Sequence, residues 1–165
     1  MSRLLELAAA TAEDTRAVGS ALAPLLRPGD AVALTGELGA GKTTFVQGVA
    51  RGAGYEGPVA SPTFTLVREY RTGNLRLEHV DLYRLDRVQE VIDLGLLELL
   101  ELDGVLLVEW GDVIEALLPP DHLVVELTVP GQDEERRISI RRVGPGWAGR
   151  WERLEQAVEP WRASA

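Results

Sequence analysis

The chain has 165 residues, with 17 basic and 26 acidic side chains, a net charge of −9, no cysteine and two histidines, which suits one domain with a core of its own. That composition excludes a disulfide framework, a cysteine zinc site, a thiol nucleophile and a three-histidine metal centre, and no run of about 18 apolar residues is present to span a membrane. The acidic balance argues against indiscriminate nucleic-acid binding, although residues 136–153 hold six arginines against one glutamate and 86–115 hold nine acids against one arginine. The basic segment reads as an ordinary solvated face with room for a polyanion or an acidic partner.

In chain order, MSRLLELAAATAED has one arginine and only a short apolar run, which is not the pattern of a secretory signal, so the protein is expected to be cytoplasmic. Arg3 to Leu7 suggests a short strand. Thr11-Ala-Glu-Asp14 reads as a capping box opening a helix whose Val18, Leu22, Leu25 and Leu26 share a face, with Pro24 kinking or shortening it. Arg27-Pro-Gly-Asp30 is a turn, Ala31 to Thr35 a short apolar strand, and Lys42 to Arg51 a helix stopped by Gly52-Ala-Gly54. Thr65–Arg71 and Leu75–Val80 flank Thr72-Gly-Asn74 as a hairpin. Val88 to Leu102 carries a helical apolar period, and Val105 to Val108 is a continuous apolar run suited to a buried strand. Leu123–Val129 and Arg136–Arg142 bracket Pro130-Gly131 as a second hairpin, and Trp147 to Val158 predicts a C-terminal helix. Early alternation of strands and helices, followed by hairpins, predicts an α/β three-layer fold with a mixed sheet of about seven strands, parallel at its centre. Residues 1–145 are expected to form one domain and 146–165 a helical tail packed on it or extending from it.

Gly36-Glu37-Leu38-Gly39-Ala40-Gly41-Lys42-Thr43 fits G-x-x-x-x-G-K-[ST] at every fixed position, between an apolar strand and a helical pattern. Glycines allow backbone turns that aim successive N–H groups at one anion, and the following helix directs its positive end to the same place. Lys42, the only lysine among the 17 basic residues, supplies a mobile charge for the β- and γ-phosphates. Thr43 offers its hydroxyl to Mg²⁺, and Thr44 extends the cradle. The Asn-Lys-x-Asp sequence of guanine-specific P-loop proteins cannot occur with Asn74 and Lys42 as the only residues of their types, which favours ATP.

A P-loop enzyme also needs a carboxylate at a neighbouring strand end for the metal. Asp81 after Leu77–Val80 and Glu109 after Val105–Val108 both qualify, and Glu109 follows the more apolar strand. In Ser61-Pro-Thr63-Phe-Thr65, Thr63 is a candidate hydroxyl for sensing γ-phosphate, and a plain turn is the competing reading. His79 reads as a hydrogen-bonded structural histidine, with nearby Asp81 keeping a functional role open. An arginine of the 136–142 hairpin could reach phosphate or base, but a solvated strand face is the preferred reading.

Four motifs occur in order: Gly-Glu-Leu-Gly-Ala-Gly-Lys-Thr-Thr-Phe (36–45), Ser-Pro-Thr-Phe-Thr-Leu-Val (61–67), His-Val-Asp-Leu-Tyr-Arg-Leu (79–85) and Val-Glu-Trp (108–110). Together they resemble the TsaE (YjeE) family, small bacterial ATPases of tRNA threonylcarbamoyladenosine synthesis, over about residues 10–140. The resemblance implies that Lys42 and Thr43 serve ATP and Mg²⁺, that Glu109 is a magnesium-side carboxylate, and that Asp81 belongs to the functional cluster. It also implies a TsaB–TsaD heterodimer as partner, with tRNA engaged indirectly through that complex and ATP hydrolysis supporting its turnover. Gly111-Asp112 departs from the family, where proline is common after Val-Glu-Trp. Two other classes fit the residues alone: a small-molecule kinase on a P-loop scaffold, for which no lid is visible, and a binding module regulated by nucleotide occupancy.

Overall fold

A computed structural model of the chain describes residues 3–37, 39–60, 67–82, 95, 98, 103–109, 115–116, 118–131 and 133–163. Seven strands form one sheet: β1 (Leu4–Ala9), β2 (Ala31–Thr35), β3 (Val67–Arg71), β4 (Arg76–Asp81), β5 (Val105–Glu109), β6 (His122–Thr128) and β7 (Arg136–Val143), in the order β1-β7-β6-β2-β5-β4-β3. The central run β6-β2-β5-β4 is parallel, and the flanking pairings β1–β7, β6–β7 and β3–β4 are antiparallel. The sheet is therefore mixed and parallel at its centre, as the alternation of elements predicts.

The residue patterns follow this placement. β5 is buried at all five positions and β2 at four of five, as expected for strands covered on both faces. Period-2 alternation sorts their side chains: Val32, Leu34, Val105 and Leu107 join the larger core, while Ala31, Ala33, Leu106 and Val108 join a second cluster on the opposite face. β1 alternates buried and open positions, with Leu5, Leu7 and Ala9 inward.

Helix α1 (Ala12–Leu22) opens on the expected cap, where the Asp14 N–H donates to Thr11 Oγ1 at 3.1 Å. It ends before Pro24, which sits in a 3-10 turn over Ala23–Leu25. Helix α2 (Lys42–Gly52) crosses α1 where both carry glycine. A Cβ on Gly19 would stand 2.4 Å from the Phe45 carbonyl oxygen, and one on Gly48 2.0 Å from that of Arg16. Only glycine permits this approach.

Helix α3 (Ala148–Ala157) follows a 3-10 turn that holds Trp147, so the helix begins one residue later than its pattern predicts. Trp147, Trp151, Leu154 and Val158 lie in the larger core, fully buried. Arg150 secures the helix: Nη1 donates to Asp30 Oδ2 at 2.7 Å and to the Leu25 carbonyl at 2.8 Å, Nη2 donates to Asp30 Oδ1 at 3.1 Å, and the guanidinium lies 3.7 Å from the Trp147 ring centroid. Beyond it, Ala163 N–H donates to the Glu6 carbonyl and Arg162 bridges Leu7, laying the tail along the outer edge of β1. The helical pattern of Val88–Leu102 lies outside the described residues apart from Gly95 and Glu98. Among the described residues no helix is long and apolar enough to cross a membrane.

Candidate nucleotide-binding site

The loop from β2 to α2 leaves the carboxyl end of the central parallel strands, where open α/β sheets place their ligands. Gly36 has φ 140° and packs so closely under β6 that a Cβ would stand 2.4 Å from the Leu127 carbonyl oxygen. Gly41, at φ 106° and ψ 18°, is the left-handed cap of α2 and makes no side-chain capping bond. The first-turn N–H groups of α2 thus have no cap side chain to donate to, and the positive end of the helix dipole faces the loop. Ala40 is buried, and its N–H donates to the Glu37 carbonyl at 2.9 Å, closing the loop on itself.

Lys42 is 3% exposed, and its Nζ donates to the carbonyls of Gly36 at 2.5 Å and Glu37 at 3.2 Å. The ammonium is held across the cradle by short contacts to its own loop. The Thr43 hydroxyl lies 3.1 and 3.0 Å from the two oxygens of Glu109, the last residue of β5. Since a carboxylate only accepts, Thr43 donates, and its oxygen keeps lone pairs available to a cation. Asp81 ends β4 directly opposite Glu109 in the parallel register, one strand further from the loop, and is 6% exposed. Lys42, Thr43, Asp81 and Glu109 thus gather at the carboxyl ends of three adjacent strands. Of the two candidate carboxylates, Glu109 bonds Thr43. Leu38, Thr63 and the rest of 61–66 lie outside the described residues.

Glu109 is held from a second direction. Its Oε2 is 2.5 Å from His79 Nε2, and His79 Nδ1 is 2.9 Å from the Tyr70 hydroxyl. His79 is therefore hydrogen-bonded and fully buried, as read from sequence, but its partner is the carboxylate of the site itself.

Arg136 departs from its expected role on a solvated strand. The β6–β7 hairpin swings the start of β7 beside the loop, where Arg136 Nε donates to the Ala40 carbonyl at 3.0 Å and Nη2 to that of Gly39 at 3.4 Å. Its Nη1 binds the carbonyls of Asp133 at 2.6 Å and Glu135 at 2.8 Å. One planar fork ties the hairpin to the loop. A cleft of about 80 Å³ opens there between Thr15, Gly41, Thr44, Glu134 and Arg136. A larger cavity of about 600 Å³ sits near Gln47, Arg51 and Tyr55, at the far end of α2 from Lys42. It is remote from the loop and forms no part of this site.

The donor set suits magnesium, a hard cation that takes oxygen ligands and is usually held by one or two carboxylates plus substrate phosphates. Thr43 and Glu109 supply such oxygens, and among the described residues no group of three or more acidic, histidine or cysteine side chains forms a self-sufficient metal cage.

Comparison with known proteins gives one answer. Residues 9–138 match the family model of TsaE, described as threonylcarbamoyl adenosine biosynthesis protein TsaE. A Bacillus subtilis (strain 168) protein named tRNA threonylcarbamoyladenosine biosynthesis protein TsaE is 46% identical over 132 residues, covering 80% of this chain and 82% of its own. A Treponema pallidum (strain Nichols) protein of the same name is 39% identical over 130 residues, 79% of this chain and 95% of its own. Among solved structures, Bacillus subtilis YdiB superposes with a TM-score of 0.80 at 37% identity, covering 94% of this chain and 97% of that one.

Proposed function

The chain belongs to the TsaE family, and on that footing we propose that it is a magnesium-dependent ATPase serving tRNA threonylcarbamoyladenosine synthesis in the cytoplasm. The observation that carries the ATPase reading is the Thr43–Glu109 hydrogen bond. It joins a complete phosphate-binding loop to an acidic residue on the adjacent strand. The backbone of Gly36 to Thr44 cradles the phosphates of ATP, including Glu37, Leu38, Gly39, Ala40 and Gly41. Lys42 leaves its carbonyl partners for the β- and γ-phosphates, with which it makes charge-assisted bonds. Thr43 and Glu109 would hold Mg²⁺, which would supply neutralisation of charge on the phosphate oxygens. Asp81 stands next to Glu109 as a second acidic group for ordering water, and Thr63 is the proposed hydroxyl for sensing the γ-phosphate. The protein partner is a TsaB–TsaD heterodimer, through which tRNA is reached.

Phosphate release from ATP by the purified protein, alone and with TsaB and TsaD, tests this reading. Lys42→Ala is expected to lower it by about 100-fold or more, the cost of removing a donor aimed at developing charge. Undiminished release from that variant would sink the ATPase reading, and a phosphorylated metabolite in place of free phosphate would replace it with a kinase. Failure of TsaB and TsaD to be retained by the tagged protein, with or without ATP, would remove the proposed partner.

A further inference from the structure

His79 lies in the interior of the sheet at 0% exposure, where an apolar side chain would satisfy packing. Instead both ring nitrogens are engaged, Nε2 with Glu109 and Nδ1 with Tyr70. A carboxylate can only accept, so Nε2 carries a proton. Nδ1 pairs with the Tyr70 hydroxyl at 2.9 Å, so the ring is held at both nitrogens. The tyrosine ring is itself fixed by the Tyr55 ring at 5.0 Å, and its hydroxyl donates to the Ala60 carbonyl at 3.3 Å. The chain Tyr70–His79–Glu109–Thr43 is thus ordered from a rigid interior towards the phosphate-binding loop.

We propose that His79 and Tyr70 are positioning residues that hold the Glu109 carboxylate in the orientation in which it accepts the Thr43 hydroxyl and meets nucleotide-bound magnesium. This rests on the reading of Glu109 as a magnesium-side residue. Groups that orient a metal-binding carboxylate are worth about 10–100-fold in metal affinity when lost.

The test is the magnesium concentration at half-saturation for binding a fluorescent ADP analogue, with analogue affinity in chelator and thermal unfolding measured alongside. His79→Leu is expected to raise the magnesium midpoint by about 10–100-fold while leaving magnesium-free affinity unchanged. Tyr70→Phe, which keeps the ring, is expected to raise it less, and His79→Gln, which restores a donor towards Glu109, to recover part of the loss. A shift with Glu109→Gln but none with His79→Leu or Tyr70→Phe overturns the positioning role alone. No shift even with Glu109→Gln overturns the reading of Glu109, and the positioning role with it. Should His79→Leu fail to fold, Tyr70→Phe decides: an unchanged midpoint rejects the proposal.

Discussion

Four of the arginines that make residues 136–153 basic are paired within the molecule. Arg136 ties loop to hairpin, Arg141 reaches Glu115 at 3.4 Å, Arg142 sits 5.5 Å from the Trp151 ring, and Arg150 is bound to Asp30. A count of charges along the chain records their sign but not these long-range partners. Lys42, Thr43 and Glu109 were legible because a phosphate-binding loop is a local pattern and the carboxylate ends a recognisable apolar strand. His79 reads as a hydrogen-bonded histidine, but its bond to a residue 30 positions away depends on β4 lying beside β5, which no spacing encodes. One buried acid has a consequence for stability. Glu78 faces Glu69 across the β3–β4 pair, and burial, then Glu69, raises its pKa, partly offset by Arg76 at 3.0 Å. A carboxyl whose folded pKa exceeds its unfolded one contributes stability below the unfolded value and loses it as pH rises through the folded value. Glu78→Gln is therefore expected to gain thermal stability relative to the unmodified protein as pH rises above about 4, the ordinary carboxyl value. A pH-independent difference in melting temperature would contradict this.

At the scale of elements, local rules located most of the boundaries. Ala31–Thr35 is the predicted strand, Thr11 is the predicted cap, and Pro24 ends α1 as its missing N–H requires. The glycine-mediated crossing of α1 and α2 was not legible, since a glycine within a helix reads only as a weak position. Its importance is steric, because the Gly48 Cα faces the Arg16 carbonyl across the interface. Gly48→Ala gains about 1 kcal/mol of helix propensity but pushes a methyl group into backbone that cannot rotate away. Overpacking of this kind costs about 1–3 kcal/mol, so the variant is expected to be less stable. Equal or higher stability in denaturant unfolding would show that the helices separate without penalty.

For the molecule as a whole, alternation of elements announced a mixed sheet, but the order β1-β7-β6-β2-β5-β4-β3 comes from pairings between strands far apart in sequence. The role of the tail is only partly visible in sequence: Trp147 to Val158 predicts a helix, while Asp30 as the anchor for Arg150 has no local signal. Helix α3 packs against α1 and the turn after it, and we read it as part of the same domain. Burial of Trp147, Trp151, Leu154 and Val158 contributes about 1.5–3 kcal/mol each, together comparable to the whole stability of a domain. Truncation after Val143 is expected to abolish cooperative thermal unfolding. A sharp transition in the truncated protein would make the tail an accessory. The last residues of that tail also govern how copies of the protein can meet. Open-ended stacking of sheet upon sheet needs two free margins on every molecule, one to offer and one to receive. With Arg162 and Ala163 laid against Leu7 and Glu6 of β1, part of one margin is covered by the chain itself. A sheet growing through that margin would first have to displace this contact.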